Sequence, residues 1–299
     1  MTLSSGIVGT TAGPLEQVID ARWLMAYAAA LGETAADYFD TTRPEGIAAH
    51  PLFPVCYEWP LALALRAGTI GDDIAPMGVH ATHDLTLDRL PRPGDRLRTT
   101  AVITAVEPRA PGAYVRSRFD TVDAEGRAVS TTDYGSLYRG VACVGTDPAP
   151  PNDPEPPSLL AAGPHESGAP PDWSARVAVA PTLAHVYSEC ARIWNPIHTD
   201  RAVARAAGLP DIILHGTATL GLAVSEVLKH WPGIGPASVA RLACRFSAMV
   251  RLPSTITVEG WRPGRDADGL AVPFRVLNEE GRAALTRGRL VLTGNRGGS

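Results

Sequence analysis

The sequence predicts an α+β fold made of two antiparallel sheets, each wrapped around one long apolar helix. Three observations predict it. At 299 residues the chain has room for two compact domains of about 100–150 residues each. Each half reads as helix first, then four alternating strand runs divided by tight turns. Strands do not alternate with helices, which disfavours a doubly wound parallel sheet.

In the first half, Gln17 to Leu31 is amphipathic at helical spacing, and Tyr57 to Arg66 gives a second, apolar helix of about three turns. Alternating runs follow at His83 to Leu87, Arg96 to Val106, Tyr114 to Val122 and Ala128 to Tyr138. Pro93-Gly94, Pro111-Gly112 and Glu125-Gly126 divide them. Residues 145–174 hold many prolines and almost no periodic apolar pattern, so they read as an extended linker between domains at 1–144 and 175–299. The second half repeats the order. Helices are expected at Leu183 to Trp194, Arg201 to Ala207 and Thr217 to Trp231, then strands at Ser238 to Val250, Thr255 to Trp261, Leu270 to Val276 and Ala284 to Leu292. A long apolar helix needs a surface to bury itself against, and a curved sheet with one apolar face supplies it. Joining the two sheets edge to edge would also shield strand edges.

Composition narrows the function. An apolar share of 45% supports globular cores, and a formal charge of −4 with no basic stripe argues against nucleic-acid and membrane partners. Cys56, Cys143, Cys190 and Cys244 are scattered without metal-site or disulfide spacing, so reduced thiols are expected. The start of the chain has no basic segment followed by an apolar core. With no apolar run near the roughly 18–20 residues that span a bilayer, a cytoplasmic location is expected.

The chemistry concentrates in one motif. Asn195-Pro196-Ile197-His198 is followed seventeen residues later by His215-Gly216, at the mouth of an apolar helix. Pro196 stops the preceding helix and places His198 on a loop. A helix that starts at Gly216 leaves its first N–H groups without partners inside the helix, and such groups beside a basic side chain suit a reaction that builds negative charge on a carbonyl oxygen. Asp200 reads as the cap of the helix that follows it. Gly221 suggests a close approach to the sheet or a ligand. Neither a phosphate-binding glycine loop nor metal-ligand spacing is present, so no metal or redox cofactor is expected.

The run Asn195-Pro196-x-His198-x-Asp200, then Ala206-Ala207-Gly208 and Ile213-Leu214-His215-Gly216, resembles the hydratase-2 motif of MaoC-like dehydratases and (R)-specific enoyl-CoA hydratases, which are hotdog-fold proteins. The resemblance implies a double hotdog whose first half is degenerate, with one site per chain. It implies that Gly216 N–H holds a thioester carbonyl, while His198, with an Asp five residues before it, handles water and a proton. Position 193 is Ile, so half of that pair is missing.

The expected catalytic set is therefore His198, Gly216 and Asn195, with Ile193, His215 and Thr217 touching substrate. Glu189, His80, His83 and Asp84 are the candidates to replace the lost carboxylate. The implied substrate is an enoyl or 3-hydroxyacyl thioester of coenzyme A or of an acyl carrier protein, so that coenzyme A or phosphopantetheine arrives as part of the substrate. Hydration or dehydration leads; a cyclase or isomerase, or a non-catalytic thioester-binding subunit, are the alternatives. A homodimer is left open.

Overall fold

The computed structural model describes residues 1–145, 168–231, 233–266 and 269–293. In the first half, β1 (Thr2–Ser4) and β2 (Thr11–Val18) precede helices α1 (Ala21–Ala30), α2 (Ala36–Phe39) and α3 (Pro54–Thr69). Strands β3 (Gly78–Leu87), β4 (Arg96–Arg109), β5 (Gly112–Val122), β6 (Ala128–Arg139) and the short β7 (Ala142–Val144) follow. The second half repeats the plan with β8 (Trp173–Val179), α4 (Leu183–Ala191), α5 (Arg201–Ala206) and α6 (Gly216–His230). It ends with β9 (Val239–Phe246), β10 (Ser254–Gly260), β11 (Gly264–Asp266), β12 (Gly269–Leu277) and β13 (Ala283–Leu292).

Both halves share one antiparallel sheet in the order β2-β4-β5-β6-β3-β9-β13-β12-β10-β8, with β11 against β12. Outward from the middle, β3-β6-β5-β4-β2 and β9-β13-β12-β10-β8 follow one plan, so equivalent strands meet at the seam. There His83 lies opposite Cys244 and Leu85 opposite Leu242. Arg241 of β9 grips Asp84 of β3 with two hydrogen bonds of 2.8 and 2.7 Å, adding a bidentate ion pair to the backbone ladder. Each half-sheet wraps one long helix, α3 or α6, and the architecture is a double hotdog.

The apolar core follows from strand alternation. Ile256, Val258 and Gly260 of β10 are buried alternately with half-exposed neighbours, and α6 buries an unbroken run from Ala218 to Ser225. The larger core joins α1, α4 and α6 across the halves, and a smaller one lies between α3 and the strands β4 and β5. Among the described residues no helix is long and apolar enough to cross a membrane.

Several expected boundaries move. Gln17 and Val18 belong to β2, and α1 starts only at Ala21, where the Asp20 carboxylate accepts the Trp23 N–H at 2.7 Å. Both outermost strands, β2 and β8, went unread. β2 contains Gly13-Pro14, which breaks a strand pattern and is tolerated at a sheet edge, where a missing N–H leaves no ladder bond unmade. β8 begins at Trp173, inside the stretch read as linker; residues 146–167 of that stretch lie outside the described residues. The strand expected to run to Val250 stops at Phe246, and Val250 instead accepts the Leu214 N–H at 2.9 Å, bracing the approach to α6.

Candidate active site

The site begins where α4 ends. Arg192 takes a left-handed backbone conformation (φ 58°), and its N–H closes on the Glu189 carbonyl at 3.3 Å. Its guanidinium lies 3.9 Å from the Trp23 ring centroid, which ties the turn to the first half. The helix expected to reach Trp194 therefore ends three residues earlier, at Ala191. Asn195 is extended (φ −131°, ψ 114°), as a residue before proline is driven to be. Pro196–His198 then form one 3-10 turn, in which His198 N–H donates to the Asn195 carbonyl at 3.1 Å. Asp200 caps α5 by accepting from the N–H groups of Ala202 and Val203 at 2.8 and 3.3 Å.

His198 Nδ1 lies 2.8 Å from the Ile213 carbonyl oxygen. A carbonyl only accepts, so Nδ1 carries the proton and Nε2 keeps its lone pair. The ring stacks on His215, centroid to centroid 3.7 Å, and His215 Nε2 meets Ser188 Oγ at 3.1 Å. Burial pushes His198 down to about 4, against the opposing pull of the Ile213 carbonyl. His215 is driven well below its ordinary value, by burial first and by His198 next. Both imidazoles are thus neutral at physiological pH, which removes like-charge repulsion from the stack.

His215 is the N-cap of α6, and its side chain makes no capping hydrogen bond. The N–H of Gly216, first residue of the helix, has no partner within the helix and carries the positive end of its dipole. A Cβ added to Gly216 would sit 3.0 Å from two carbons of the Phe246 ring. Glycine here thus lets α6 approach the end of β9, a demand the sequence could not reveal. At Gly221, expected to approach the sheet or a ligand, the nearest neighbours of an added Cβ are instead the methyl carbons of Leu31 in the first half, at 2.8 and 2.9 Å.

One cavity of about 960 Å³ is lined by His198, Gly216 and Asn195 together with Ile193, His215 and Thr217. All six expected site residues thus border a common space. Asn195 holds the loop through its backbone carbonyl and borders the cavity. Ile193 is 4% exposed and its N–H bonds the Ser188 carbonyl at 3.0 Å. Among the proposed replacements for a carboxylate, Glu189 is exposed and accepts from Trp194 Nε1 at 3.2 Å, away from the cavity. Asp84 is bound to Arg241, and His83 is sealed in the core with its pKa lowered to about 3 by burial. His80 alone of that group lines the cavity, with its Nε2 3.0 Å from the Thr82 carbonyl oxygen.

The first half supplies a wall whose residues, His80 apart, the sequence reading did not name. The Phe246 ring lies 4.4 Å from that of His80, which stacks 3.8 Å from Tyr134 on β6. Beyond the stack the cavity runs between α3 and its sheet, past Glu58, Leu65, Ile103 and Val115. A single glutamate amid Tyr57, Trp59 and Leu61 was the available signal, since a charged residue inside an apolar helix face is rarely buried without a role.

Residues 6–132 match the FAS1-like dehydratase domain region, and residues 164–274 match the MaoC-like domain. The enoyl-CoA hydratase ChsH3 of Mycobacterium tuberculosis is 33% identical over 95 residues, 32% of this chain and 33% of that protein. The probable enoyl-CoA hydratase 2 of Dictyostelium discoideum is 26% identical over 202 residues, covering 66% of this chain and 65% of that one. The chain thus spans a third to about two thirds of these curated relatives. A MaoC-like dehydratase from Phytophthora capsici has the same fold, with a TM-score of 0.74 at 21% identity and 96% of each chain covered.

Proposed function

This chain is a double-hotdog protein of the MaoC-like family, a FAS1-like dehydratase region followed by a MaoC-like domain, and from that premise we propose that it reversibly hydrates an enoyl thioester to a 3-hydroxyacyl thioester. The observation that carries the reading is the meeting of a neutral imidazole and an uncapped helix N-terminus on one cavity. The names of the two curated relatives support the same reaction class and a coenzyme A thioester.

In this reading the thioester oxygen sits at the N-terminus of α6. Gly216 N–H and the helix dipole stabilise the charge that develops there as water adds to the β-carbon. His198 Nε2 takes the proton from the attacking water while Nδ1 stays bonded to Ile213. The new C–O bond pushes the alkene electrons onto the enolate. Ile193 offers no proton carrier, so the imidazolium returns its proton to the α-carbon and the same ring serves both transfers. A ring with a pKa of about 4 is a strong acid once protonated, which favours that return. Dehydration runs the same steps backwards. His215 keeps the His198 ring flat against it, Asn195 keeps the loop closed, and Thr217 borders the acyl end.

The test is a panel of enoyl and 3-hydroxyacyl thioesters of coenzyme A and of a carrier protein, turned over in ¹⁸O-labelled water. Label should enter the 3-hydroxyl group, and His198→Ala should lower kcat by about 10²–10⁴-fold. Because burial lowers the His198 pKa, the active neutral form persists as pH falls, and kcat/KM should drop with a one-proton slope only near pH 4. Absence of label uptake across the panel would sink the reading. A cytoplasmic location belongs to the same proposal and is supported by the four free thiols among the described residues; cell fractionation checks it.

A further inference from the structure

Glu58 lies on α3 in the half without the His-Gly motif, yet it borders the same cavity as His198 and Gly216. It is 4% exposed, and its Oε1 accepts the Thr132 Oγ1 proton at 2.7 Å. Burial, with Asp120 adding to it, raises its pKa to about 8 in spite of the Thr132 bond. The carboxyl is therefore mostly un-ionised at neutral pH and holds one O–H to donate. Thr132 already donates to Oε1, so that proton belongs on Oε2, which has no protein acceptor among the described residues. Oε2 is also absent from the polar atoms sealed inside protein.

Position separates this group from the reacting carbons. Thr132 and Tyr134 share one face of β6, one pleat or about 7 Å apart. Tyr134 stacks on His80, whose ring in turn meets that of Phe246 beside Gly216. Around Glu58 the walls are apolar, formed by Val55, Ala62, Leu65, Ile103 and Phe119. A plain hydrocarbon chain filling the cavity here would leave a buried donor bare, whereas a chain with an oxygen at that depth would receive it.

We propose that the cavity selects an acyl chain carrying a hydroxyl or carbonyl oxygen beyond its β-carbon, and that Glu58 is the group that reads this oxygen by donating from Oε2. The proposal rests on the thioester reading of the site and names its substrate class. A site built around a buried donor rejects the analogue that lacks the acceptor far more strongly than an apolar wall rejects an added methylene.

The experiment measures binding by titration calorimetry, so that it does not depend on turnover. Saturated acyl-coenzyme A thioesters of equal length, plain or hydroxylated at successive positions beyond the β-carbon, are offered to the full chain and to its Glu58→Gln and Glu58→Leu variants. Wild type should prefer one hydroxyl position by about 10–100-fold in Kd. Glu58→Leu should lose the preference, and Glu58→Gln, whose amide still donates, should keep part of it. Thermal melting verifies that both variants fold, and the isosteric Gln variant keeps the comparison valid if the Leu variant does not. Equal affinity for plain and hydroxylated chains in wild type, or an undiminished preference in the Leu variant, overturns the proposal. So does the failure of any acyl-coenzyme A to bind. Loss of turnover with the binding preference intact would overturn the hydratase reading alone.

Discussion

The helices α3 and α6 occupy equivalent places in the two halves and meet opposite fates. α6 opens with His215-Gly216, leaves its first turn uncapped, and buries every residue from Ala218 to Ser225. α3 opens with Phe53-Pro54, where proline has no N–H to offer an anion, and carries a second proline at position 60 inside the helix. Proline there forfeits a helical hydrogen bond and disturbs regular packing. α3 borders the cavity along its length, from Val55 to Thr69, even as Leu61 and Leu65 pack on β4 and β5, whereas α6 borders it only in its first turn, at Gly216, Thr217 and Thr219. His198 and the α6 start come from the second half, and the first half lends the same cavity a further wall.

The strongest way to break this contrast is to give α6 the start that α3 has. His215 already has φ −58° and ψ 138°, the backbone a residue before proline adopts, so Gly216→Pro should fold. It would remove the N–H assigned to the thioester oxygen, and kcat should fall by about 10²–10³-fold relative to Gly216→Ala. The alanine control bears the same Cβ against Phe246 but retains the N–H. Equal rates in the two variants would remove the helix N-terminus from the chemistry.

Packing offers the next test. Leu220 in α6 is fully buried, so Leu220→Ala should cost about 2–5 kcal/mol of stability in urea unfolding. Leu63 in α3 is half-buried and already borders open space, and Leu63→Ala should cost about 1 kcal/mol or less. Similar losses at the two positions would contradict the contrast between a helix that borders the cavity in its first turn and one that borders it along its length. The smallest effect concerns the loop that the first half lacks. Asp200→Ala removes the α5 cap and should cost about 1 kcal/mol, with a modest drop in kcat as the His198 turn loosens. An unchanged melting temperature would dissociate the cap from the loop's order.

Much of this molecule was legible in the sequence, and the failures have a pattern. Strands with clean alternation, such as β5 and β12, were read within a residue or two because each buries one face. The unread strands β2 and β8 are the two ends of the sheet: Gly13-Pro14 interrupts the pattern of β2, and β8 alternates but begins inside the proline-rich stretch read as linker. In the site, His198, Asn195 and Gly216 were found because proline and glycine constrain the local backbone, which sequence records directly. His80 was expected at the cleft only if the two sheets paired, and Glu58, Tyr134 and Phe246 were missed because their meaning depends on neighbours more than fifty residues away.

The chain alone therefore determined two helix-and-meander units, the loop that frees an imidazole, and the helix start beside it. These follow from local rules of backbone geometry and apolar periodicity. Tertiary structure decided that β3 pairs with β9, that α3 borders a cavity along its length, and that a buried carboxyl shares that cavity with His198. Backbone hydrogen bonds between strand edges carry no side-chain signature of their partner, and the space left between packed elements belongs to no single segment, so neither property can be written in a local stretch of residues.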